Sequence, residues 1–182
     1  MAKKIINLAL QGGGSHGAYS WGVLDRLLEE EDLHIEGISG TSAGAMNAAM
    51  LVSGYMSRGR EGAKESLHQF WHRISEAAAF SPMRKGPVER MITGWNMDAS
   101  PTYHWFDMLS RVFSPYELNP LNVNPMRYIL DEMLNLGGIH SGESIKLFIA
   151  ATHVTSGQAR VFQKEEITTE VLLASACLPF LF

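Results

Sequence analysis

Residues 5–17 read IINLALQGGGSHG, and this stretch decides the class of fold. Its first six residues are a short apolar run that includes β-branched side chains, which is typical of a mostly buried strand. Three consecutive glycines follow and indicate a turn, and from residue 18 to residue 31 apolar side chains recur at helical spacing. The stretch therefore predicts a strand, a glycine-rich turn and a helix.

The same pattern repeats immediately along the chain. Residues 35–39 are a second short strand candidate, residues 40–44 a second tight turn and residues 43–53 a second helix. Two consecutive units of this kind imply parallel strands that are covered by helices. We therefore predict the α/β class, with a mostly parallel central sheet.

The remaining elements follow from periodicity and from proline and glycine punctuation. The pattern predicts helices over residues 61–76, 125–136 and 168–176, and strands over residues 146–154 and 159–163. Gly137 and Gly138 are expected just past the end of the second of these helices.

Residues 81–124 form the irregular part of the sequence. Five prolines interrupt the segment between residues 81 and 120, among many methionine and aromatic side chains. We interpret it as an insertion of helical pieces and loops. Its side chains would either form core beneath the loops or line an apolar pocket or a lid.

Length and composition restrict the possible functions. With 182 residues, residues 1–182 are expected to form a single domain, and 46% apolar residues provide for a core. The net charge of −4 gives no general attraction to nucleic acid, so no nucleic-acid partner is expected. The single cysteine, Cys177, suits a reducing compartment, so a cytoplasmic location is expected. No apolar run is long enough to span a membrane, and any membrane contact would be peripheral.

The sharpest chemical signal is GTSAG at residues 40–44, which places Ser42 between a strand and a helix. A strained strand-to-helix turn exposes the serine hydroxyl, and the small residues Gly40 and Gly44 let the backbone pass close to itself. The following helix aims free amides and its positive dipole end at the serine. The pattern favours a nucleophilic serine over a glycine-rich turn with a serine cap.

A second signal is the glycine run at the end of the first strand. Gly12, Gly13 and Gly14, with Gly17 behind them, present backbone amides that can cradle an anion or an oxyanion. The spacing also fits a dinucleotide fingerprint, which requires an acidic residue at the end of the second strand. Glu36 lies before that end, so the oxyanion cradle is favoured.

Residues 11–18, QGGGSHGA, and 37–45, GISGTSAGA, resemble the bacterial patatin-like phospholipases, and the similarity covers essentially the whole chain. Residues 21–24, 119–122 and 174–179 are also similar to members of that family. The resemblance implies a three-layer α/β/α fold and a cofactor-free serine hydrolase of lipid esters, of phospholipase A or lysophospholipase type. It implies that Ser42 is the nucleophile and that the amides of residues 12–14 hold the oxyanion. Many members carry Arg or Lys where this chain has His16, which matters little for a cradle of backbone amides.

The base is where the chain departs from the family pattern. Patatin-like enzymes use a Ser-Asp dyad whose aspartate lies in a D-G-G or D-G-A motif after the Leu-Pro turn. No aspartate here is followed by glycine, and three residues follow Pro179. We therefore expect a C-terminally incomplete chain that by itself lacks the catalytic aspartate, because a serine hydroxyl without an adjacent base is a poor nucleophile. A companion C-terminal fragment is one expected partner. A second copy of the chain is the other, since residues 178–182 would expose apolar surface.

Other assignments remain open. The chain order of an α/β-hydrolase triad would nominate Ser42, Asp131 and His153. His68 and His72 lie four residues apart but lack the glutamate of a zinc-protease motif, so no metal site is expected. A carboxylesterase or polyester depolymerase would use the same serine. A noncatalytic fragment that binds lipid or protein is the alternative outside the enzymes.

Overall fold

A computed structural model of the chain describes residues 4–79 and 124–177. The chain divides into two compact units, one made of Met1–Arg73 and Met126–Ala176 and the other of Ile74–Pro125 and Cys177–Phe182. Apart from residue 124, the expected insertion and candidate lid at residues 81–124 lie outside the described residues, as do residues 178–182. The expectation of a single domain stays a prediction.

The first unit contains a four-stranded sheet in the order β1-β2-β3-β4. Strands β1 (Lys4–Leu10), β2 (Leu33–Gly40) and β3 (Lys146–Thr152) are parallel to one another, and β4 (Ala159–Gln163) is antiparallel to β3. The α/β class and the mostly parallel sheet that the sequence predicts are therefore confirmed.

The α-helices of the described residues are α1 (Gly17–Glu29), α2 (Ala43–Ala79), α3 (Pro125–Met133), α4 (Leu136–Ser141) and α5 (Thr169–Ser175). Short 3-10 turns precede α1 and α5. In the described ranges, no helix combines the length and the apolar character that crossing a bilayer requires.

Helix α2 is folded back on itself, where the sequence predicts two helices. Arg58 and Gly59 have non-helical backbone angles, and Gly59 has a φ of 62°. On either side of this break the two arms of the helix run side by side. They approach so closely that a Cβ on Gly54 would overlap the Gly62 carbonyl oxygen, and a Cβ on Gly62 would overlap the Gly54 carbonyl oxygen. Only glycine permits the arms to approach this closely at their turn.

The core lies on the apolar sides of the two α2 arms and of the inner strands. Its largest fully buried side chains include Met46, Met50, Leu67, Phe70, Ile38, Leu147 and Ile149. The helical spacing of residues 61–76 predicts a buried stripe of Ala63, Leu67, Phe70, Trp71 and Ile74. In the structure the first three are buried and the last two are half-buried. Most of the predicted stripe is therefore core.

The sequence prediction for residues 125–136 is wrong at its carboxyl end. Helix α3 stops at Met133, and Gly137 and Gly138 lie inside the short helix α4 instead of past a helix end. The cause is Asn135, whose side-chain oxygen accepts a hydrogen bond of 2.9 Å from the Gly138 amide and caps α4. The Asn135 amide in turn donates to Ser53 Oγ at 2.9 Å.

Arg60 joins α2 to the region between α1 and β2. Its guanidinium donates to the carbonyl oxygens of Leu28 and Glu30, at 3.0 and 2.9 Å, and to that of Leu33. These carbonyls lie at the carboxyl end of α1 and at the start of β2, where the helix leaves its last acceptors unpaired. A single side chain therefore fixes the end of the first strand-turn-helix unit.

Candidate active site

The two glycine-containing turns lie side by side because their strands are parallel neighbours. Leu10, the last residue of β1, pairs with Gly40, the last residue of β2. The turn of residues 12–14, called the glycine turn below, and the turn of residues 40–44, called the serine turn, therefore follow the same edge of the sheet. The amide of Thr41 donates to the Leu10 carbonyl at 3.2 Å and connects the two strand ends.

Ser42 occupies a strained position at the head of α2. Its φ is 51°, and among the described residues no other non-glycine residue has a positive φ. A non-glycine residue adopts this conformation only where the surrounding structure imposes it. Ser42 is half-buried, and its hydroxyl has no hydrogen-bond partner in the described parts of the chain. The backbone strain at Ser42 is thus not accompanied by a side-chain hydrogen bond within the described residues.

The close packing of the serine turn requires small residues. A Cβ on Gly40 would lie 2.5 Å from the Gly44 carbonyl oxygen, and a Cβ on Gly44 would overlap the Leu10 carbonyl oxygen. A Cβ on Gly12 would come within 3.0 Å of Ser42 Cβ. The glycine turn therefore packs closely against Ser42.

The backbone of the glycine turn takes conformations that favour glycine. Gly13 and Gly14 have φ values of 156° and 55°, which L side chains rarely adopt. Among the described residues, the amides of Gly12 and Gly13 have no hydrogen-bond acceptor. The His16 ring contacts the Gly13 carbonyl oxygen through Nδ1 at 3.1 Å.

The backbone of Ser42 is held from the other side by Ser175 of α5. The Ser42 amide donates to Ser175 Oγ at 2.9 Å, and that hydroxyl donates to the Ala150 carbonyl oxygen of β3 at 2.7 Å. Because the Ser42 amide is engaged in this way, it is not available to an oxyanion. Residues 174–179 enter the sequence analysis only through the family resemblance, and no role for Ser175 is predicted from them.

Helix α5 is itself anchored to α3. Thr169 Oγ1 donates to Asp131 Oδ1 at 2.7 Å, and Arg127 forms an ion pair of 2.8 Å with Glu170. The hydrogen bond from Arg127 holds the pKa of the Glu170 carboxyl below its usual value. Two polar contacts therefore fix the helix that carries Ser175.

Asn47 joins the helices that follow the two turns. It is fully buried, its amide nitrogen donates to the Gly17 carbonyl at 2.9 Å, and its oxygen accepts from Trp71 Nε1 at 2.8 Å. Gly17 itself packs so closely that an added Cβ would lie 2.8 Å from Ala43 Cβ. The start of α1 is thereby tied to both arms of α2. The only sequence signal for this contact is a polar residue inside the otherwise apolar run of residues 43–52.

Replacing Asn47 by alanine is expected to lower the free energy of unfolding by about 2 to 4 kcal/mol, because it leaves the Gly17 carbonyl and the Trp71 N–H without partners in a buried place. Urea denaturation would measure the change. The control is Gln69→Ala, which removes an exposed amide bonded only to Glu65 among described residues and should shift stability by less than about 0.5 kcal/mol. Equal stability of the two variants would contradict the role given to Asn47.

The structure does not assemble the alternative triad. Asp131 accepts the hydrogen bond from Thr169, and His153 Nδ1 lies 2.8 Å from Ser156 Oγ in its own exposed turn. No hydrogen bond within the described ranges joins Asp131, His153 and Ser42.

The two histidines on the second arm of α2 stack on each other instead of forming part of a larger ligand cluster. The ring centroids of His68 and His72 are 6.3 Å apart, and the Trp21 ring packs at an angle on His68. Across the described parts of the chain, no group of three or more His, Cys, Asp or Glu side chains is placed to hold a metal ion.

Fold and site together define an α/β protein whose strained serine turn contacts a glycine turn at the carboxyl edge of a parallel sheet. Residues 8–182 match the family model described as patatin-like phospholipase, so the chain belongs to the patatin-like phospholipase family.

Comparisons with individual proteins add a structural likeness. The chain is similar to one in the heterodimeric complex ExoU-SpcU from the type III secretion system of Pseudomonas aeruginosa, with 19% sequence identity and a TM-score of 0.34. The likeness covers 96% of this chain and 36% of that one, so the present chain spans little more than a third of that protein. No curated protein sequence matches.

Proposed function

We propose that this protein hydrolyses lipid esters through an acyl-enzyme formed on Ser42, as a phospholipase A or lysophospholipase. The observation that carries the proposal is the direct contact between the strained serine turn and the glycine turn, in which a Cβ on Gly12 would lie 3.0 Å from Ser42 Cβ. A presented hydroxyl beside unpaired amides is the arrangement that acyl transfer requires. Membership of a family described as patatin-like phospholipases supports lipid esters as the substrate class.

The proposed reaction has two halves. Ser42 Oγ attacks the ester carbonyl and loses its proton to a general base, while the amides of the glycine turn stabilise the negative oxygen of the tetrahedral intermediate. The carbon–oxygen bond to the alcohol then breaks, and the alcohol leaves with that proton. Water attacks the acyl-enzyme in the second half, which releases the fatty acid and restores Ser42.

The oxyanion donors in this proposal come from the glycine turn and not from the Ser42 amide. The Ser42 amide is bonded to Ser175, whereas the amides of Gly12 and Gly13 have no acceptor among the described residues. This division supports a role for each turn: the serine turn supplies the nucleophile and the glycine turn stabilises the charge.

The proposal also requires a general base beside Ser42 Oγ, and the family resemblance implies an aspartate for this role. No aspartate in the sequence is followed by glycine, and no described carboxylate is bonded to Ser42. A serine hydroxyl without an adjacent base is a poor nucleophile, so the rate of Ser42 acylation depends on this residue.

Labelling with a fluorophosphonate ester, followed by intact-mass and peptide analysis, tests the proposal. The full-length folded protein should gain one adduct on Ser42, heat-unfolded protein should gain none, and the labelled protein should lose phospholipid hydrolysis. An unlabelled folded protein, or an adduct elsewhere, would refute the assignment and favour a noncatalytic lipid- or protein-binding role. A preference for short soluble esters or polyesters over phospholipid vesicles would instead favour a carboxylesterase or a depolymerase.

A further inference from the structure

Ser175 lies far from Ser42 in sequence but contacts its backbone. The Ser42 amide donates to Ser175 Oγ at 2.9 Å across a separation of 133 residues, and Ser175 Oγ donates to the Ala150 carbonyl at 2.7 Å. We propose that Ser175 is a positioning residue, whose hydroxyl holds Ser42 in the strained conformation that presents its Oγ. This inference rests on the proposed function of Ser42 and adds a second serine to the same site.

The Ser42 amide needs such a partner. The first amides of a helix have no acceptor within the helix, and Ser42 stands immediately before α2. The neighbouring amides of Thr41 and Gly44 are bonded to the carbonyl of Leu10 at the end of β1 and to the carbonyl of Thr41 in the serine turn. The hydrogen bond to Ser175 Oγ, in contrast, joins the Ser42 amide itself to a residue outside both turns. Without it, Ser42 is free to relax toward negative φ, which would swing its hydroxyl away from the glycine turn.

The Ser175 hydroxyl is well suited to hold this peptide. A serine hydroxyl has one proton, and here the proton is given to the Ala150 carbonyl, so an oxygen lone pair is left to accept from Ser42. The bond from Thr169 to Asp131 and the ion pair of Glu170 with Arg127 fix α5 behind it. Ser175 Oγ, which accepts the bond from Ser42, is therefore held in place by both the β3 strand and the α3 helix.

The test compares Ser175→Ala with Ser53→Ala in the full-length protein. Ser53 Oγ also accepts a backbone N–H bond of 2.9 Å, from Asn135, but it lies 11 positions after Ser42 on α2. In the Ser175→Ala variant, kcat for p-nitrophenyl butyrate and the fluorophosphonate labelling rate should each fall about tenfold or more, with KM within about twofold of the wild-type value. The Ser53→Ala variant should keep kcat within about twofold of the wild-type value. Ser175→Thr should retain most of the kcat that Ser175→Ala loses, because threonine keeps the hydroxyl.

Hydrogen exchange provides a readout that does not depend on hydrolysis. The Ser42 amide should exchange about tenfold faster in Ser175→Ala and at the wild-type rate in Ser53→Ala. A wild-type protein that neither hydrolyses esters nor takes the label overturns the proposed function. A labelled wild-type protein whose Ser175→Ala variant keeps its kcat, or loses no more than Ser53→Ala does, overturns the positioning role alone.

Discussion

Replacing Ser42 by alanine is expected to lower kcat/KM for ester hydrolysis by about a thousandfold or more, because it removes the proposed nucleophile and leaves only the oxyanion cradle and substrate binding. The fold should persist, since the Ser42 hydroxyl has no partner among the described residues that its loss would leave unpaired. Initial rates on phospholipid vesicles and on p-nitrophenyl esters, with circular dichroism to check the fold, would measure both effects.

Two further variants make this test specific. Ser141→Ala removes an exposed hydroxyl bonded to the Gly137 carbonyl and should leave activity unchanged. Ser42→Gly should be as inactive as Ser42→Ala and yet more stable by about 1 kcal/mol, because glycine relieves the strain of a positive φ. Substantial hydrolysis by Ser42→Ala would mean that another residue carries the reaction.

Replacing Gly44 by alanine is expected to destabilise the fold by about 3 kcal/mol or more and to abolish labelling of Ser42. The added Cβ would overlap the Leu10 carbonyl oxygen and lie 2.8 Å from that of Gln11, and both are backbone atoms that cannot rotate away. Either β1 or the head of α2 must then move, which separates the glycine turn from the serine turn. Denaturant unfolding and the labelling rate would report these changes.

Gly22→Ala is the matched control for this variant. Gly22 lies in α1 with no atom within 4 Å of an added Cβ, so alanine should stabilise the helix by up to about 1 kcal/mol and leave labelling intact. If Gly44→Ala were as stable as Gly22→Ala, the close approach of the serine turn to β1 would not be a requirement of the fold.

Much of the fold could be predicted from local patterns. The two apolar runs followed by glycine-containing turns predict β1, β2 and the helices after them, because burial and turn formation depend on residues close in sequence. The closeness of the turns of residues 12–14 and 40–44 follows from the rule that parallel neighbouring strands end at one edge. The error at residues 137–138 has a similarly local cause, since the Asn135 cap starts a helix where glycines usually end one.

Other features depend on contacts between distant segments. Arg60 reaches the end of α1, and Asn47 joins Gly17 to Trp71, yet neither residue belongs to a motif that predicts its partner. Each bond exists because helices packed on the sheet bring the two groups within 3 Å, and periodicity contains no information about which faces meet.

The sequence alone therefore determined the α/β class, the family resemblance and the candidate pair of serine and glycine turns, because each is encoded in residues that are neighbours along the chain or at the ends of adjacent strands. Only the tertiary structure decided that Ser175 holds the Ser42 amide, and that Asp131 and His153 have other partners. The physical reason is that a hydrogen bond between residues 133 positions apart depends on how α3, α5 and β3 pack together, and no local pattern specifies that packing.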